Sequence, residues 1–567
     1  MGFYNEWALR ISQGQWTDGK AFYGLPGYAY LLAFLYLFTG ASPWLPAFLQ
    51  CGLDALTAVL IAQIGLEVWG SHNRLMSWGI ALTAALGWMF FLPAQTLAII
   101  LMPTSWIVAA FWGLVWWILQ TNARTTWRTW LGMGLFLGVV SMLVATGLML
   151  LPLILVAIWL RQSSESPIPQ RIGKLLIGAA LVFLGFFAGC SPAWLHNRLI
   201  AHEPVLLSAH SGINYWIGNN PEATGYPKIP TGLRAGQAEL LRDSITVAEK
   251  AAGHPLSRAE VSAYWSQRAE GWIRENRGSW WALLGRKFSN FWNAFQYDDL
   301  SIIALLRGLG VVSPGLRFGV IAALALPGLL LAAWRVPKAR WVVAAVLLHL
   351  AALMPVFITE RYRLCAVPGL LLLASAGLWT LWDALGQRRW IFSLAYGGAT
   401  AAAAVWVSIP REDQSLWSLD HYNIGIHAQE AGDLSTAQRE LERAYAYVPD
   451  HPEINFALGN LWLARKDSYK ARVFYRHTLE LNPAHAKAWN NVGIIALEEK
   501  FWPTARRAFE RAIQLEPRDA KTYFLLAKAC LSLNDREAAR KAIEEALRLK
   551  PEQPQFLELR TQIETPE

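Results

Sequence analysis

Uncharged apolar blocks fill the first 410 residues of this 567-residue chain and then stop. A helix that crosses a bilayer needs about 20 mainly apolar residues. Stretches of that kind lie at 44–69, 75–93, 100–119, 174–194, 316–334, 341–358, 364–383 and 390–409. The block 129–160 is too long for one crossing and has Arg128 and Arg161 beside its ends. It suits a hairpin of two short helices turning near Thr146–Gly147, which brings the predicted crossings to ten. Beyond residue 410 charged side chains recur every few positions. The overall charged content of 16%, against about 25% in ordinary soluble domains, therefore averages two solvents, lipid first and water second.

Lys and Arg concentrate in the cytoplasmic loops of membrane proteins. Here Arg74, Arg124/Arg128, Arg161/Arg171/Lys174, Arg335/Lys338/Arg340 and Arg388/Arg389 mark loops that alternate, so a single assignment makes all of them cytoplasmic. It places a large loop at 195–315, the Glu360–Arg363 turn and everything after residue 410 outside. The net charge of +9 then belongs to loops, and no nucleic-acid partner is expected. Leu25–Phe38 is short for a span and carries Pro26 and Gly27. It either crosses, with a cytoplasmic N-terminus, or lies in the membrane interface, with residues 1–43 external. Charge bias does not separate these. Cys51, Cys190, Cys365 and Cys530 lie far apart and show neither metal-ligand spacing nor a disulfide framework, so no metal or cofactor is expected.

The C-terminal region repeats itself every 34 residues. Pro449, Pro483, Pro517 and Pro551 keep that period, as do Gly425, Gly459 and Gly493 (with Ala527 in the fourth place) and Ala437, Ala471, Ala505 and Ala539. Large residues fall in register at Leu441, Tyr475, Phe509 and Ile543, and small ones at Ala444, Thr478, Ala512 and Ala546. Small residues let two antiparallel helices approach, the large one fills the groove, and proline ends the second helix. The pattern resembles the tetratricopeptide repeat over 418–551, four repeats, with the tail 552–567 as a cap. Such arrays present a face to proteins or peptides, so a protein partner is expected on it.

The large loop reads GINYWIGNNPEATGYPKIP over Gly212–Pro230, where glycines and prolines forbid one continuous helix. Asn214, Asn219 and Asn220 with Tyr215 and Trp216 are the residue types of a sugar-binding surface: amides bond hydroxyls and rings cover apolar sugar faces. The same asparagines equally serve turns in a loop that docks on the rest of the chain.

The phrases YNEWALRISQGQW, FYGLPGYAYLLAFLY, HNRLIAHEPVLLSAHSGINYWIGNNPEATG and ITERYRLCAVPGL, in this order over residues 1–409, resemble the bacterial relatives of protein O-mannosyltransferases. These are GT-C glycosyltransferases of family 39 that use polyprenyl-phosphate sugars, several of them fused to tetratricopeptide repeats. The resemblance implies an all-α fold, with a polytopic GT-C-like membrane domain (transmembrane helices in 44–194 and 316–409) followed by an α-solenoid. It implies a donor held at the external membrane edge, a carboxylate in the first external loop assisting the acceptor, and cations on the departing phosphate. It also places Tyr4–Trp7 in that first loop and favours the interfacial reading of Leu25–Phe38.

Three departures stand out. The family's key Asp lies a few residues before the Tyr-x-Glu-Trp phrase, and this sequence starts at Met1, after that point; the first transmembrane helix is missing for the same reason. The acid that relatives often carry near Met102 is replaced by Pro103 and Thr104. Cys365 stands where relatives have proline.

Within the sequence Glu6 is the acid nearest the expected position, or else a solvated charge beside a short amphipathic helix. Arg361 and Arg363 are the candidate clamp for the donor phosphate, or else interfacial anchors. Asp54, ionisable inside a predicted span, is a further candidate, or a cavity-facing group bonded to Gln50. His210 beside the asparagine loop reads as a surface histidine before a base. The expectation is a bacterial inner-membrane glycosyltransferase whose loop and repeats face the periplasm. It would transfer a hexose-type sugar from a polyprenyl-phosphate carrier to an external protein or glycan acceptor, among membrane lipids. A non-catalytic membrane scaffold, or a ligase or polymerase of lipid-linked glycans, stands as the alternative.

Overall fold

The computed structural model describes residues 2–71, 73–162, 166–234, 237–298, 303, 306, 315–410 and 414–564. It divides into two compact units, Met1–Arg411 and Glu412–Glu567. Among the described residues both are helical, and the one β contact is an isolated bridge between Phe91 and Leu316.

The first unit opens with α1 (Gly2–Ser12), α2 (Gly27–Thr39), α3 (Trp44–Trp69), α4 (Arg74–Met89), α5 (Leu92–Ala98), α6 (Thr104–Leu119), α7 (Trp127–Ser141), α8 (Leu151–Leu160) and α9 (Ile168–Leu195). A polar stretch follows with α10 (Ser211–Gly218), α11 (Gln237–Ala252), α12 (Arg258–Glu275) and α13 (Arg277–Trp292). Then come α14 (Phe318–Arg335), α15 (Ala339–Leu353), the single turn α16 (Glu360–Arg363), α17 (Val367–Gly386) and α18 (Trp390–Val407).

Among the described residues five helices are long and apolar enough to cross a membrane: Trp44–Trp69, Ile168–Ile200, Phe318–Arg335, Glu360–Gly386 and Trp390–Val407. The remaining predicted crossings are shorter, for local reasons. The stretch 75–93 breaks at Phe90, whose carbonyl accepts from the Leu316 amide at 2.7 Å. Pro103 delays the next helix to Thr104, and Pro355 stops α15 at Leu353. The hairpin in 129–160 turns at Met142–Val144, a few residues before the expected place, and resumes as a 3₁₀ turn, Ala145–Leu150. With 13 residues, α2 spans about 20 Å at 1.5 Å per residue, well short of an about 30 Å hydrocarbon core. Its inner face (Tyr28, Leu32, Ala33, Tyr36) packs on Ala8 and Ile11 of α1.

The outer surfaces of the long helices are apolar. Trp44, Phe48, Leu176, Leu330, Trp334, Leu394 and Val405 are exposed, and Ile391 is 88% exposed. Patches of this extent mark contact with lipid or with another protein. Helices α7 and α9 approach closely through glycines on both partners. A Cβ at Gly134 would lie 2.1 Å from the Val182 carbonyl oxygen, and one at Gly185 2.2 Å from that of Leu131. Gly138 and Gly189 repeat the arrangement one turn on, the small-xxx-small spacing of close helix pairs. Near the end of α9, Pro192 has no amide to offer the Ala188 carbonyl, and the Ser191 hydroxyl donates to it instead at 2.8 Å. The helix then widens into a π-turn over His196–Ile200.

The second unit stacks α19 (Gln414–Glu430) with α20 (Leu434–Tyr447), α21 (Pro452–Ala464) with α22 (Ser468–Leu481), α23 (Ala486–Glu498) with α24 (Trp502–Leu515), and α25 (Ala520–Ser532) with α26 (Arg536–Leu549). The 34-residue phase has a steric basis. Leu441, Tyr475 and Phe509 are buried against Gly425, Gly459 and Gly493, with closest approaches of 2.7, 2.5 and 2.5 Å to a built Cβ. In the fourth repeat the corresponding residues, Ile543 and Ala527, are both buried in one cluster. Asp433, Asp467 and Asp535 cap the second helices of their repeats by accepting from backbone amides. The tail forms α27 (Pro554–Glu564), whose Phe556, Leu559 and Ile563 cover the core of the last repeat. Asn460, Tyr475 and Asn491 link neighbouring repeats: the Tyr475 hydroxyl and the Asn491 amide both donate to Asn460 Oδ1, at 2.7 and 2.9 Å.

Candidate functional site at one end of the first unit

The two ends of the first unit's helices differ in chemistry. At one end Lys338 pairs with Glu67 at 2.6 Å, Arg161 donates to the Thr121 hydroxyl and lies over Trp341, and Arg335 lies over Phe392. These contacts gather loops that the Lys/Arg pattern assigned to one side. At the other end three segments meet: residues 2–39, the described part of 195–298, and 354–366.

The first two are sewn together by backbone bonds to buried polar side chains. Asn197 Oδ1 accepts from the Phe22 amide at 3.0 Å, and the Phe22 carbonyl accepts from the Ala209 amide at 2.8 Å. Buried Glu203 accepts from the amides of Ala21 and Ala259. Arg258 donates to the Ala21 carbonyl at 2.6 Å and pairs with Asp18 at 2.7 Å. The His196 ring stacks on Phe22 at 4.0 Å and bonds Thr17 at 2.5 Å.

The predicted loop residues serve this architecture and not an open sugar surface. Ser211–Gly218 forms a short helix, and Asn219 and Asn220 are buried beyond it. Asn219 Nδ2 donates to the carbonyls of Tyr215 and Pro355, while its Oδ1 accepts from Trp280 Nε1 and Lys287 Nζ. Asn220 donates to the carbonyls of Trp216 and Ile217 and accepts from the Glu222 amide. All four hydrogen-bonding positions of Asn219 are thereby occupied, as are both donors and one acceptor position of Asn220. Trp216 is buried against Trp265 with Arg268 4.5 Å over its ring, and Tyr215 packs at the edge of the same cluster. Asn214 bonds His210 at 3.0 Å, and the His210 ring sits 4.4 Å from Tyr23. Burial lowers the His210 pKa to about 4, with the Asn214 bond opposing, so it is a packed neutral imidazole and not a surface histidine.

The arginine turn holds two different residues. Arg363 is buried: its guanidinium pairs with Glu360, donates to the carbonyls of Phe291, Asn293 and Phe295, and lies over Phe318. It braces the turn from inside, which takes it out of the predicted phosphate clamp. Arg361 is half-buried over Tyr362. It lies near Tyr4 of α1, where burial pushes the phenol pKa up and the Arg361 charge opposes it. The Tyr4 ring meets Tyr28 edge-on at 5.3 Å, and the Tyr28 hydroxyl donates to buried Gln50 at 2.5 Å. Gln50 Nε2 donates to the carbonyls of Ala98 and Ile100. Asp54 lies one turn further along α3, near the Ser105 side chain, while Gln50 is engaged by Tyr28, Ala98 and Ile100. Glu6 is exposed and has no bonded partner among the described residues.

Sequence patterns passed over Lys287. It is fully buried, donating to Asn219 Oδ1 at 3.2 Å and to the Met354 carbonyl at 2.9 Å. Burial lowers its pKa to about 7. They also passed over Glu203 and Arg258, and singled out Gln50 only as a partner for Asp54. Lys287 carried no local signal, since exposed Arg286 stands beside it in the same helix.

Residues 422–486 and 496–563 match two models of the tetratricopeptide repeat. Among solved structures, the chain is similar to MamA (41-end) from Desulfovibrio magneticus RS-1 at 23% identity, over 27% of this chain and 85% of that one, with a TM-score of 0.26. It is similar to pilF of Pseudomonas aeruginosa at 21% identity, over 27% and 69% of the two chains, with a TM-score of 0.25. It is also similar to the Arabidopsis OM64 TPR domain at 23% identity, over 20% and 93%, with a TM-score of 0.20. No curated protein matches the sequence. The C-terminal unit thus carries tetratricopeptide repeats, which form a protein-interaction domain.

Proposed function

We propose that the first unit is a membrane glycosyltransferase that moves a sugar from a polyprenyl phosphate to an acceptor outside the cytoplasm, and that the repeats recruit the acceptor or a partner protein. The observation that carries this reading is the convergence of α1, the arginine turn and the polar loop at the end of the apolar helices opposite the basic loops. That end would face the periplasm of a bacterial inner membrane. Arg361 supplies the cation for a lipid phosphate, with Tyr4 and Tyr28 beside it. In the transfer, an acceptor hydroxyl oxygen bonds the anomeric carbon as the bond from that carbon to the phosphate oxygen breaks. Polyprenyl phosphate leaves with its charge countered by Arg361, and the hydroxyl proton passes to a carboxylate. We assign that last role to Asp54, which lies near Ser105 and one turn beyond Gln50, ahead of solvent-facing Glu6.

A second reading, a non-catalytic membrane scaffold, is favoured by one observation: Asn219, Asn220 and Arg363 are engaged internally. Incubating the reconstituted chain with labelled polyprenyl-phosphate sugars separates the two. Label leaving the lipid, and lost in Asp54→Asn, supports transfer. A folded protein that turns over none of the donors supports the scaffold.

A further inference from the structure

Helix α13 has a second face that the proposed chemistry does not use. Its inner side holds buried Leu283, Lys287 and Asn290. Its outer side holds Trp281, 66% exposed, with Arg286 and Phe288 also exposed. The helix sequence, RGSWWALLGRKFSNFW, contains basic residues and no acid. Exposed Arg277 and Arg286 make no ion pair among the described residues.

Its bonds fix where it lies. Lys287 Nζ reaches the Met354 carbonyl, just past the C-terminus of α15. At the other end of the same helix, Asn293 Nδ2 donates to the Ile409 carbonyl at 2.9 Å and the Ala294 amide to the Val407 carbonyl at 2.7 Å, at the C-terminus of α18. Phe288 packs on Trp406 with ring centroids 6.3 Å apart. Helix α13 therefore meets the ends of two apolar helices, and Val405 and Ile409, close in sequence to the Trp406 that Phe288 touches, are exposed.

We infer that α13 is a membrane-interface helix: Trp281 and Phe288 enter the boundary between headgroups and acyl chains, and Arg277 and Arg286 meet the phosphates of anionic phospholipid. Aromatic residues at that boundary and a basic rim are the features such helices use. The inference rests on the membrane reading of the first unit. It gives Lys287 a consequence, since the loop bolted to α13 through Asn219 is then held at the membrane surface.

Photocrosslinking tests it on the full chain in nanodiscs of phosphatidylcholine and phosphatidylglycerol. The probe p-benzoylphenylalanine replaces, one at a time, Trp281, Phe288, Leu394 on the apolar face of α18 and exposed Glu270 on α12. Lipid adducts are expected at 281, 288 and 394 and not at 270, with the yield at 281 falling severalfold when Arg286→Glu is added. Adducts at 394 without any at 281 or 288, or equal adducts at 270, overturn the interfacial assignment while leaving the membrane reading. A protein adduct at 281 in place of lipid also overturns it. No lipid adduct at 394 overturns both.

Discussion

Gly493→Ala in the third repeat sets two effects of known size against each other. Alanine in a helix interior is favoured over glycine by about 1 kcal/mol. The new Cβ, however, would lie 2.5 Å from Cε1 and 2.7 Å from Cδ1 of Phe509, where ordinary contact begins at 3.4 Å. Phe509 is fully buried, so its ring has to retreat by roughly 1 Å into a close-packed core. Overpacking of this kind costs about 1–3 kcal/mol, which leaves a net loss of about 0–2 kcal/mol. Phe509→Ile alone should cost about 1–3 kcal/mol through lost contacts and the space left behind. The double variant rebuilds the Ala527–Ile543 pair that the fourth repeat already uses, so the two changes should compensate by about 1–2 kcal/mol. Urea unfolding of the unit Glu412–Glu567, followed by far-ultraviolet circular dichroism, measures the whole cycle. If Gly493→Ala alone stabilised by the full helix-propensity gain and the two changes were additive within about 0.3 kcal/mol, the steric account of the 34-residue phase would be refuted.

The first unit yields four further expectations. Glu360→Gln leaves the buried Arg363 charge without its carboxylate and should cost about 3 kcal/mol, seen as a lower Tm in detergent; an unchanged Tm would remove the pair from the fold's essential contacts. Arg361→Ala should keep the wild-type Tm while weakening binding of a polyprenyl-phosphate sugar at least tenfold, as expected for a charged hydrogen bond of about 1.5–3 kcal/mol; equal affinity would remove Arg361 from the phosphate site. His210 titrates near 4 in the folded chain against an ordinary 6.5, so its contribution is present above 6.5 and lost as the pH falls through about 4. A Tm–pH series should be flatter over that window in His210→Gln, and identical slopes would contradict its burial as a neutral ring. Lys287 titrates near 7 against an ordinary 10.5, so the unfolded chain binds the extra proton between those values and stability rises with pH across them. Lys287→Met should lack that rise.

Features that depend on residues near each other in the chain are legible from the sequence alone. The 34-residue phase shows because each glycine and its large partner lie 16 residues apart, in consecutive helices of one hairpin. The long apolar helices show because length and composition are local. Long-range partnerships are hidden. Nothing near Asn197 announces that it holds the backbone of Phe22, and nothing in the turn Glu360–Arg363 separates the buried arginine from the half-exposed one. The asparagines mislead for a related reason: an amide that binds a hydroxyl and one that binds a carbonyl read alike until its partners are known. Gln50 and Asp54 sit one turn apart on α3, and only the placement of Tyr28 and of the Ala98 and Ile100 carbonyls decides what Gln50 meets.

The seam between Ala21–Phe22 and residues 197–259 has a consequence in time. Translation at about 5–20 residues per second delivers Arg258 roughly 10–50 seconds after Phe22. Until then the Ala21 carbonyl lacks its Arg258 donor, and until residues 197–203 are made the amides of Ala21 and Phe22 lack their acceptors. The opening segment is synthesised first and docked late, so a ribosome-bound intermediate should leave it open to protease until the twelfth helix has emerged.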